Sequence, residues 1–108
     1  MGLFSNLFKE NKQNDIEHNI PTDGSFYFIV EDIFSLSGGR LMVVGKVISG
    51  EIHIGDTVSV GGRVNAVVNG IEQFRKTLDT ATAGDNCGIL LNGISKSDVY
   101  KNDYLTKL

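Results

Sequence analysis

The sequence contains one cysteine, one proline and no tryptophan among its 108 residues, and it has no long apolar run. A lone cysteine, Cys87, cannot form a disulfide within the chain, so nothing in the sequence points to an oxidising compartment. Without an apolar run of about 18 residues, or a basic start followed by an apolar stretch, the sequence predicts neither a transmembrane helix nor a secretory signal. We expect a cytoplasmic protein.

An excess of positive charge is also absent. Lys and Arg number 10 against 13 Asp and Glu, which gives a net charge of -3. Proteins that bind nucleic acid without sequence preference need a cationic surface, because their affinity comes from displacing the counterions of the phosphates. The charge therefore argues against non-specific nucleic-acid binding and leaves specific binding in a shaped pocket open.

Residues that would support catalysis or metal binding are not grouped in the sequence. GRLMVVGKV has one residue too many for a phosphate-binding loop, and Val47 stands where that loop needs Ser or Thr. His18, His53 and Cys87 lie far apart, so no pair has the spacing of a zinc site. We therefore expect no GTPase domain, no enzymatic activity, no metal and no cofactor.

The chain divides into two parts. Residues 1–24 begin with Leu3, Phe4, Leu7 and Phe8, which share one face of a helix, and continue with a polar stretch up to the only proline, Pro21. This pattern predicts a short N-terminal tail or linker of helical character. Residues 25–108 are then expected to form a single domain.

The pattern of the second part is that of short β-strands. In FYFIVEDIF the alternation fails at Asp32–Phe34, which predicts a strand end or a bulge. LMVVGKVIS is apolar on both faces and predicts a central strand, CGILLNG predicts a buried strand, and YLTKL closes the chain. Gly61–Gly62 predicts a two-residue hairpin, and Asn69–Gly70 predicts a turn or a bulge. Short strands with turns about every 8–12 residues are typical of all-β barrels and sandwiches.

Two stretches resemble the second domain of bacterial elongation factor Tu. They are VEDIFSLSGGRLMVVGKVISGEIHIGDTVSV, residues 30–60, and GIEQFRKTLDTATAGDNCGILLNGISKSDV, residues 70–99. The resemblance implies an all-β fold, a closed antiparallel β-barrel. In that family the barrel helps to hold the aminoacylated 3′ end of tRNA against the GTPase domain. A non-catalytic module that binds a tRNA acceptor end or a similar aminoacyl ligand weakly is therefore expected.

The resemblance also implies a set of ligand-binding residues. Glu72 would lie against the terminal adenosine, Arg75 near the terminal phosphates or ribose, and the other members would line the aminoacyl pocket. Carboxylates and an amide suit the α-amino group, and Arg suits phosphate. The full set is Glu31, Asp32, Phe34, Glu72, Arg75, Asn86 and Leu90.

Each of these residues also has a purely structural interpretation. Glu31 and Asp32 would be solvated residues at a strand end, and Glu72 would pair with Arg75 or Lys76 on the surface. Phe34, Phe74 and Leu90 would belong to the core, and Asn86 would shape the turn before its strand. The sequence also departs from the family pattern: Val44 stands in place of threonine, Met42 in place of a smaller aliphatic residue, and Asn92 in place of arginine. The loop reads Gly39-Arg40-Leu41, where the family has arginine before glycine. The departures leave the identity of the ligand open.

The sequence leaves three alternatives open. The barrel is expected to be a free-standing single-domain protein, with a trimmed piece of a longer factor as the alternative. The alternative function is a protein–protein interaction module that uses the barrel surface and the N-terminal tail, with a vestigial pocket. A membrane contact through the tail is the third, but stable membrane anchoring normally needs two signals and is disfavoured.

Overall fold

The structure is a computed structural model that describes residues 20–108, so most of the predicted tail, with its expected helix, lies outside the described residues. The described part of the chain is built from strands. They are β1 (Tyr27–Leu36), β2 (Arg40–Ser49), β3 (Glu51–His53), β4 (Thr57–Val60), β5 (Val64–Gln73), β6 (Lys76–Leu78), β7 (Thr80–Thr82), β8 (Asn86–Asn92) and β9 (Tyr104–Lys107). Two short 3₁₀ turns lie between strands: Ser37–Gly39 between β1 and β2, and Lys96–Asp98 between β8 and β9. The all-β class is confirmed.

Six of these strands pair in a closed ring. The order is β4-β9-β1-β2-β8-β5, and β5 pairs with β4 to complete the circuit. All of these pairings are antiparallel. Strand β6 extends the sheet beside β5, and β3 and β7 form a separate two-stranded sheet. The predicted central strand, β2, does lie between β1 and β8.

The core lies inside the ring. One row of paired residues crosses four neighbouring strands, with Ile33 of β1 opposite Val43, Val43 opposite Ile89, and Ile89 opposite Ile71. All four side chains are buried. Because successive residues of a strand point to opposite faces, the residues on either side of this row point outward. Burying this row therefore fixes which side chains form the outer face.

A β-bulge in β1 explains why the alternation fails at Asp32. The register shifts between Val30, which pairs with Gly45, and Asp32, which pairs with Val44, so Glu31 is the extra residue. Val30 and Ile33 are both buried although they are three positions apart. The strand continues to Leu36, so the predicted bulge is confirmed and the alternative of a strand end is wrong. The bulge turns Asp32 to the outer face.

Gly45 of β2 allows β1 and β2 to approach each other closely at this bulge. A Cβ atom at Gly45 would overlap the backbone carbonyl of Ile29 on the neighbouring strand. Backbone cannot move aside as a flexible side chain can, so the close approach requires glycine.

Two other turns differ in detail from the sequence patterns. Val60 pairs with Val64, so the β4–β5 hairpin has a three-residue loop, Gly61–Arg63, and the predicted two-residue loop is wrong. The N–H of Arg63 donates to the carbonyl of Val60 at 3.0 Å, which closes a turn over Gly61 and Gly62 and leaves Arg63 as a third loop residue before the Val60–Val64 pair. At Asn69–Gly70 the register of β5 shifts between Val68 and Gly70, so this pair forms a bulge within one long strand.

An Arg–Asp clasp fastens the β4–β5 loop to the segment before β9. Asp103 is buried, and its carboxylate accepts hydrogen bonds from the backbone N–H groups of Tyr100 and Tyr104 and from Arg63 Nη2 at 2.5 Å. Arg63 also donates to the backbone carbonyl of Asp98 at 3.0 Å, and its guanidinium lies 5.1 Å from the centre of the Tyr100 ring. The hydrogen bond with Asp103 raises the pKa of Arg63, which therefore stays charged.

We expect Gly45→Ala to destabilise the fold by about 2 kcal/mol or more, because the new methyl group must displace the backbone of β1. Lys46→Ala, on the next residue of β2 and exposed, is the matched control and should change stability by less than about 0.5 kcal/mol. Urea unfolding followed by circular dichroism measures both. Equal midpoints for the two variants would contradict this account of the bulge.

We expect Arg63→Ala to cost about 2 kcal/mol, because it leaves the buried Asp103 carboxylate without its cationic partner. Part of the effect is screened, since the Arg63 side chain is 43% exposed. The control is Lys101→Ala, which removes an exposed ion pair with Asp32 at 3.9 Å. That variant should lose less than about 1 kcal/mol. Thermal unfolding of both variants measures the loss of stability. If Arg63→Ala lost as little stability as the control, the Arg–Asp clasp would not stabilise the fold as described.

Candidate functional site

Two carboxylates flank one row of the outer face. Asp32 of β1 lies opposite Val44, Val44 lies opposite Gly88, and Gly88 lies opposite Glu72 of β5. The row therefore crosses four strands, with an acidic residue at each end and small or apolar residues between. The carboxylate of Asp32 also accepts a hydrogen bond from the backbone N–H of Ile33 at 2.9 Å, which orients it.

The next row of the outer face is apolar. Phe34 lies opposite Met42, Met42 opposite Leu90, and Leu90 opposite Gly70. Phe34 is 49% exposed, and Met42 and Leu90 are partly buried. An aromatic side chain that is half exposed on the outer face does not contribute to the core. The structural interpretation of Phe34 and Leu90 as core residues is therefore wrong, since both point away from it.

The apolar side chains lie flat against the sheet, over glycines. A Cβ atom at Gly88 would lie 2.5 Å from Met42 Sδ, and one at Gly70 would lie 2.8 Å from Leu90 Cδ1. Each long side chain thus occupies the space that a side chain on the neighbouring strand would take. The result is a shallow apolar surface between the two carboxylates.

Asn86, at the start of β8, lies beside the row of carboxylates, on the side away from the apolar row. It pairs with Lys46 of β2, and its backbone carbonyl accepts a hydrogen bond from Gln73 Nε2 at 2.8 Å. The β5–β8 ladder ends at the Glu72–Gly88 pair, so the Gln73 side chain takes over where backbone pairing stops. Gln73 was not among the predicted site residues, because a single amide beside a turn gives no distinctive signal in the sequence.

Arg75 lies at the tip of the β5–β6 hairpin. Phe74 and Arg75 form a two-residue turn in which both have positive φ, 52° and 65°, and Gln73 pairs with Lys76 across it. Such turns usually need Asn or Gly, so two bulky residues there carry backbone strain of a kind that is concentrated at functional sites. Phe74 is 87% exposed, so its interpretation as a core residue is wrong as well.

The structure brings most of the predicted site residues onto one surface. Asp32, Phe34, Glu72 and Leu90 occupy two adjacent rows, and Asn86 starts the row beside them. Glu31 is the extra residue of the bulge and is exposed beside Asp32. Arg75 stands apart at the hairpin tip. Among residues 20–108, Glu72 takes part in no ion pair, so the alternative of a surface pair with Arg75 or Lys76 is not supported.

Comparison with known proteins identifies the family of this fold. The family model for elongation factor Tu domain 2 matches residues 41–106, which is more than half of the chain. The chain belongs to the elongation factor Tu domain 2 family. Among solved structures, translation elongation factor SelB from Methanococcus maripaludis, in its apo form, superposes with a TM-score of 0.72 and 26% sequence identity. The match covers 79% of this chain and 19% of the SelB chain, so this chain spans about a fifth of that protein.

Metal binding, membrane spanning and the lone cysteine are the remaining chemical questions for residues 20–108. Within residues 20–108, no group of three or more His, Cys, Asp or Glu side chains is placed to hold a metal ion. The same part of the chain includes no helix of the length and apolar character needed to span a membrane. The thiol of Cys87 is buried inside the ring, and this burial, reinforced by the charge of Asp85, raises its pKa from 9.0 to about 11.

We expect Cys87 to resist thiol reagents in the folded protein. At pH 8 the raised pKa should lower the thiolate fraction by about 100-fold relative to an ordinary cysteine, and burial blocks access as well. The stabilising effect of keeping this thiol neutral should be complete below pH 9.0 and lost as the pH rises toward about 11, because the unfolded thiol ionises first. Reaction with a chromogenic disulfide reagent measures the first expectation.

The matched control for this experiment is Thr82→Cys in a Cys87→Ala background, since Thr82 is exposed at the end of β7. The control should react rapidly, and Cys87 should react quickly only after denaturation. If native Cys87 reacted within about tenfold of the control rate, its burial in the ring would be wrong.

Proposed function

We propose that the outer face of this ring binds an aminoacyl group at the 3′ end of an RNA, as a non-catalytic module. We also propose that the ring is a closed β-barrel of the translation-factor type and that it works in the cytoplasm. The observation that carries the proposal is the row in which Asp32 and Glu72 flank Val44 and Gly88.

The chemistry of an aminoacyl ester fits this row. Its α-ammonium group needs acceptors, and the carboxylates of Glu31 and Asp32 supply them at one end of the row. Glu72, at the other end, would lie against the terminal adenosine. The amino-acid side chain needs an apolar surface, which the neighbouring row with Phe34 and Leu90 provides. The phosphates of the RNA end need cations, and Arg75 and Lys76 are exposed at the tip of the hairpin that β5, the strand of Glu72, forms with β6.

The expected affinity is low. The site is open to solvent, and a ligand held by one face makes few contacts to offset its loss of translational and rotational freedom. A free energy of about 4–5 kcal/mol, or a dissociation constant of about 1 mM, is a reasonable expectation.

Amide NMR spectra of the labelled protein, recorded during titration with a non-hydrolysable 3′-aminoacylamido-adenosine, test the proposal. We expect shifts confined to Asp32, Glu72, Gly88 and Asn86 and their neighbours. Glu72→Gln should weaken binding about five- to tenfold, because it removes a charged acceptor while keeping the shape of the side chain. Adenosine without the aminoacyl group should bind more weakly.

The matched control is Glu51→Gln, which neutralises an exposed carboxylate on β3, outside the ring of strands. It should leave the affinity unchanged. No shifts at millimolar ligand, or equal weakening by Glu72→Gln and Glu51→Gln, would overturn the proposal.

A protein-binding role is the second candidate, and the exposure of Phe74 favours it. An aromatic side chain presented at 87% exposure on a strained hairpin resembles the anchor residues of protein interfaces. The two candidates predict different results in the titration. If protein binding is the sole role, the Asp32–Glu72 row should not respond to the aminoacyl ligand.

A further inference from the structure

A groove opens at the end of the ring where the chain enters β1 and leaves β9. Its volume is about 460 Å³, and it is lined by residues 24–26, by Gly50 and Glu51 at the start of β3, and by Lys107 and Leu108. A volume of this size can hold more than one apolar side chain. None of the lining residues belongs to the carboxylate row, so the groove is separate from the candidate site.

The segment that leads into β1 follows a fixed path along the edge of this groove. The carbonyl of Ser25 accepts a hydrogen bond from Ser49 Oγ at 2.6 Å, and the N–H of Ser25 donates to Asp23 at 3.0 Å. A Cβ atom at Gly50 would lie 2.5 Å from the backbone nitrogen of Phe26, so glycine allows this segment to lie directly against the start of β3. The part of the chain that precedes Asp23 therefore leaves the fold at the groove.

The rim of the groove is apolar and continues onto the outer face of the ring. Leu108 is 68% exposed, although its N–H extends the β4–β9 ladder by donating to the carbonyl of Thr57 at 3.0 Å. Thr57 pairs with Val67 of β5, which is 43% exposed. Two apolar side chains are thus held beside one groove by paired backbone, and residues 20–108 leave them uncovered.

We propose that this groove is the docking site of the chain's own N-terminal segment, residues 3–8. The sequence gives that segment four apolar side chains on one face of a predicted helix, at positions 3, 4, 7 and 8. Such a stripe gains free energy when it leaves water and packs on an apolar surface. This docking is independent of the proposed function, because the groove and the carboxylate row share no residue.

The length of the linker favours the chain's own segment over one from another molecule. Residues 9–23 join the stripe to the groove and are mostly polar. A flexible linker of this length has an r.m.s. span of about 20 Å. It therefore holds the stripe close to the groove, at an effective concentration on the order of 1 mM. In a micromolar solution of the protein, the tethered segment outcompetes the same segment of a second copy.

The charges at the groove suit the same occupant. The Glu51 side chain lies on the groove wall and is 55% exposed, whereas Lys107 is already paired with Asp56 at 3.6 Å. Lys9 and Lys12 follow the stripe in the sequence, so docking brings cations toward Glu51. An exposed ion pair adds little free energy, so the charges orient the segment while the apolar contacts hold it.

A spin label on the 108-residue chain tests the docking. With Cys87→Ala to remove the native thiol, Asn6→Cys carries a nitroxide on the side of the predicted helix away from the stripe. We expect the amide signals of residues 24–26, Glu51 and Leu108 to lose most of their intensity and to recover it when the label is reduced. The signal of Leu36, at the other end of β1 from the groove, should keep its intensity.

Substitutions on both surfaces, each with a matched control, sharpen the test. Phe4→Ser should lower the ratio of docked to free segment about tenfold, because it removes one apolar side chain from the contact. Ile16→Ser removes an apolar side chain from the linker, outside the stripe, and should change nothing. On the ring, Leu108→Ser should weaken the docking several-fold, and Leu36→Ser, its exposed control at the far end of β1, should not.

A mixed sample distinguishes the possible occupants. It contains ¹⁵N-labelled protein without the spin label and spin-labelled protein without ¹⁵N, so any loss of intensity there comes from contact between copies. Amide shifts compared between wild type and Phe4→Ser, with no spin label, give the same test at the same residues if the labelled variant does not fold.

The proposal stands if the loss falls on the groove residues of the same molecule and responds to Phe4→Ser and Leu108→Ser but not to their controls. Loss in the mixed sample would show that a second copy supplies the segment. Loss centred on Phe34 would place the segment on the outer face, and no loss at all would show that it does not dock. Each of these three results overturns the proposal.

Discussion

Closure of the six-stranded ring is the constraint on which the rest of the structure depends. Every strand of the ring has a partner on each side, so no strand can shift its register without disturbing two ladders. A shift by one residue would also exchange the buried row of Ile33 and Ile71 for the outer row of Asp32 and Glu72. The arrangement of the outer face is therefore fixed by the same pairings that bury the core.

The two bulges allow β1 and β5 to bury apolar side chains in the core and also to present carboxylates on the outer face. In β1 the extra residue, Glu31, changes which side of the strand faces inward, so Val30 and Ile33 are both buried while Asp32 points out. In β5 the bulge at Asn69 does the same between Val68 and Ile71. Both bulges lie in strands that carry a carboxylate of the candidate site. The positions of Asp32 and Glu72 thus follow from local breaks in regular pairing, held in place by the closed ring.

Much of this fold could be predicted from the sequence, because period-two alternation and glycine turns report burial directly. The central strand β2, the buried strand β8 and the closing strand β9 follow from their apolar runs. Strands β6 and β7 could not be predicted in this way, since Lys76–Leu78 and Thr80–Thr82 are too short to show a period. The predicted loop at Gly61–Gly62 is one residue shorter than the real one, because a pair of glycines in the sequence does not show at which residue the turn closes. The hydrogen bond between Arg63 and Asp103, 40 positions later, leaves no signal in the sequence either.

The candidate site, too, could be predicted only in part, because some of its contacts join residues that are far apart in the sequence. The resemblance to elongation factor Tu named residues from strands β1, β5 and β8, but only the register shows that Asp32 and Glu72 end one row. The roles of Gln73 and Met42 depend on contacts with Asn86 and Gly88 across the sheet. Single side chains with distant partners leave no periodic pattern in the sequence. Their contacts become visible only when the structure places the neighbouring strand.

The exposure of the outer face bears on both candidate functions at once. Electrostatic contacts from Asp32, Glu72 and Arg75 are weak while water screens them, and they strengthen when water is excluded. The sheet cannot exclude water alone, because its aromatic residues Phe34 and Phe74 are themselves exposed. A second surface that packs against these rings would bury the ligand and gain apolar contact area in the same step. If both proposed roles hold, ligand binding and protein binding are therefore expected to reinforce each other on this face.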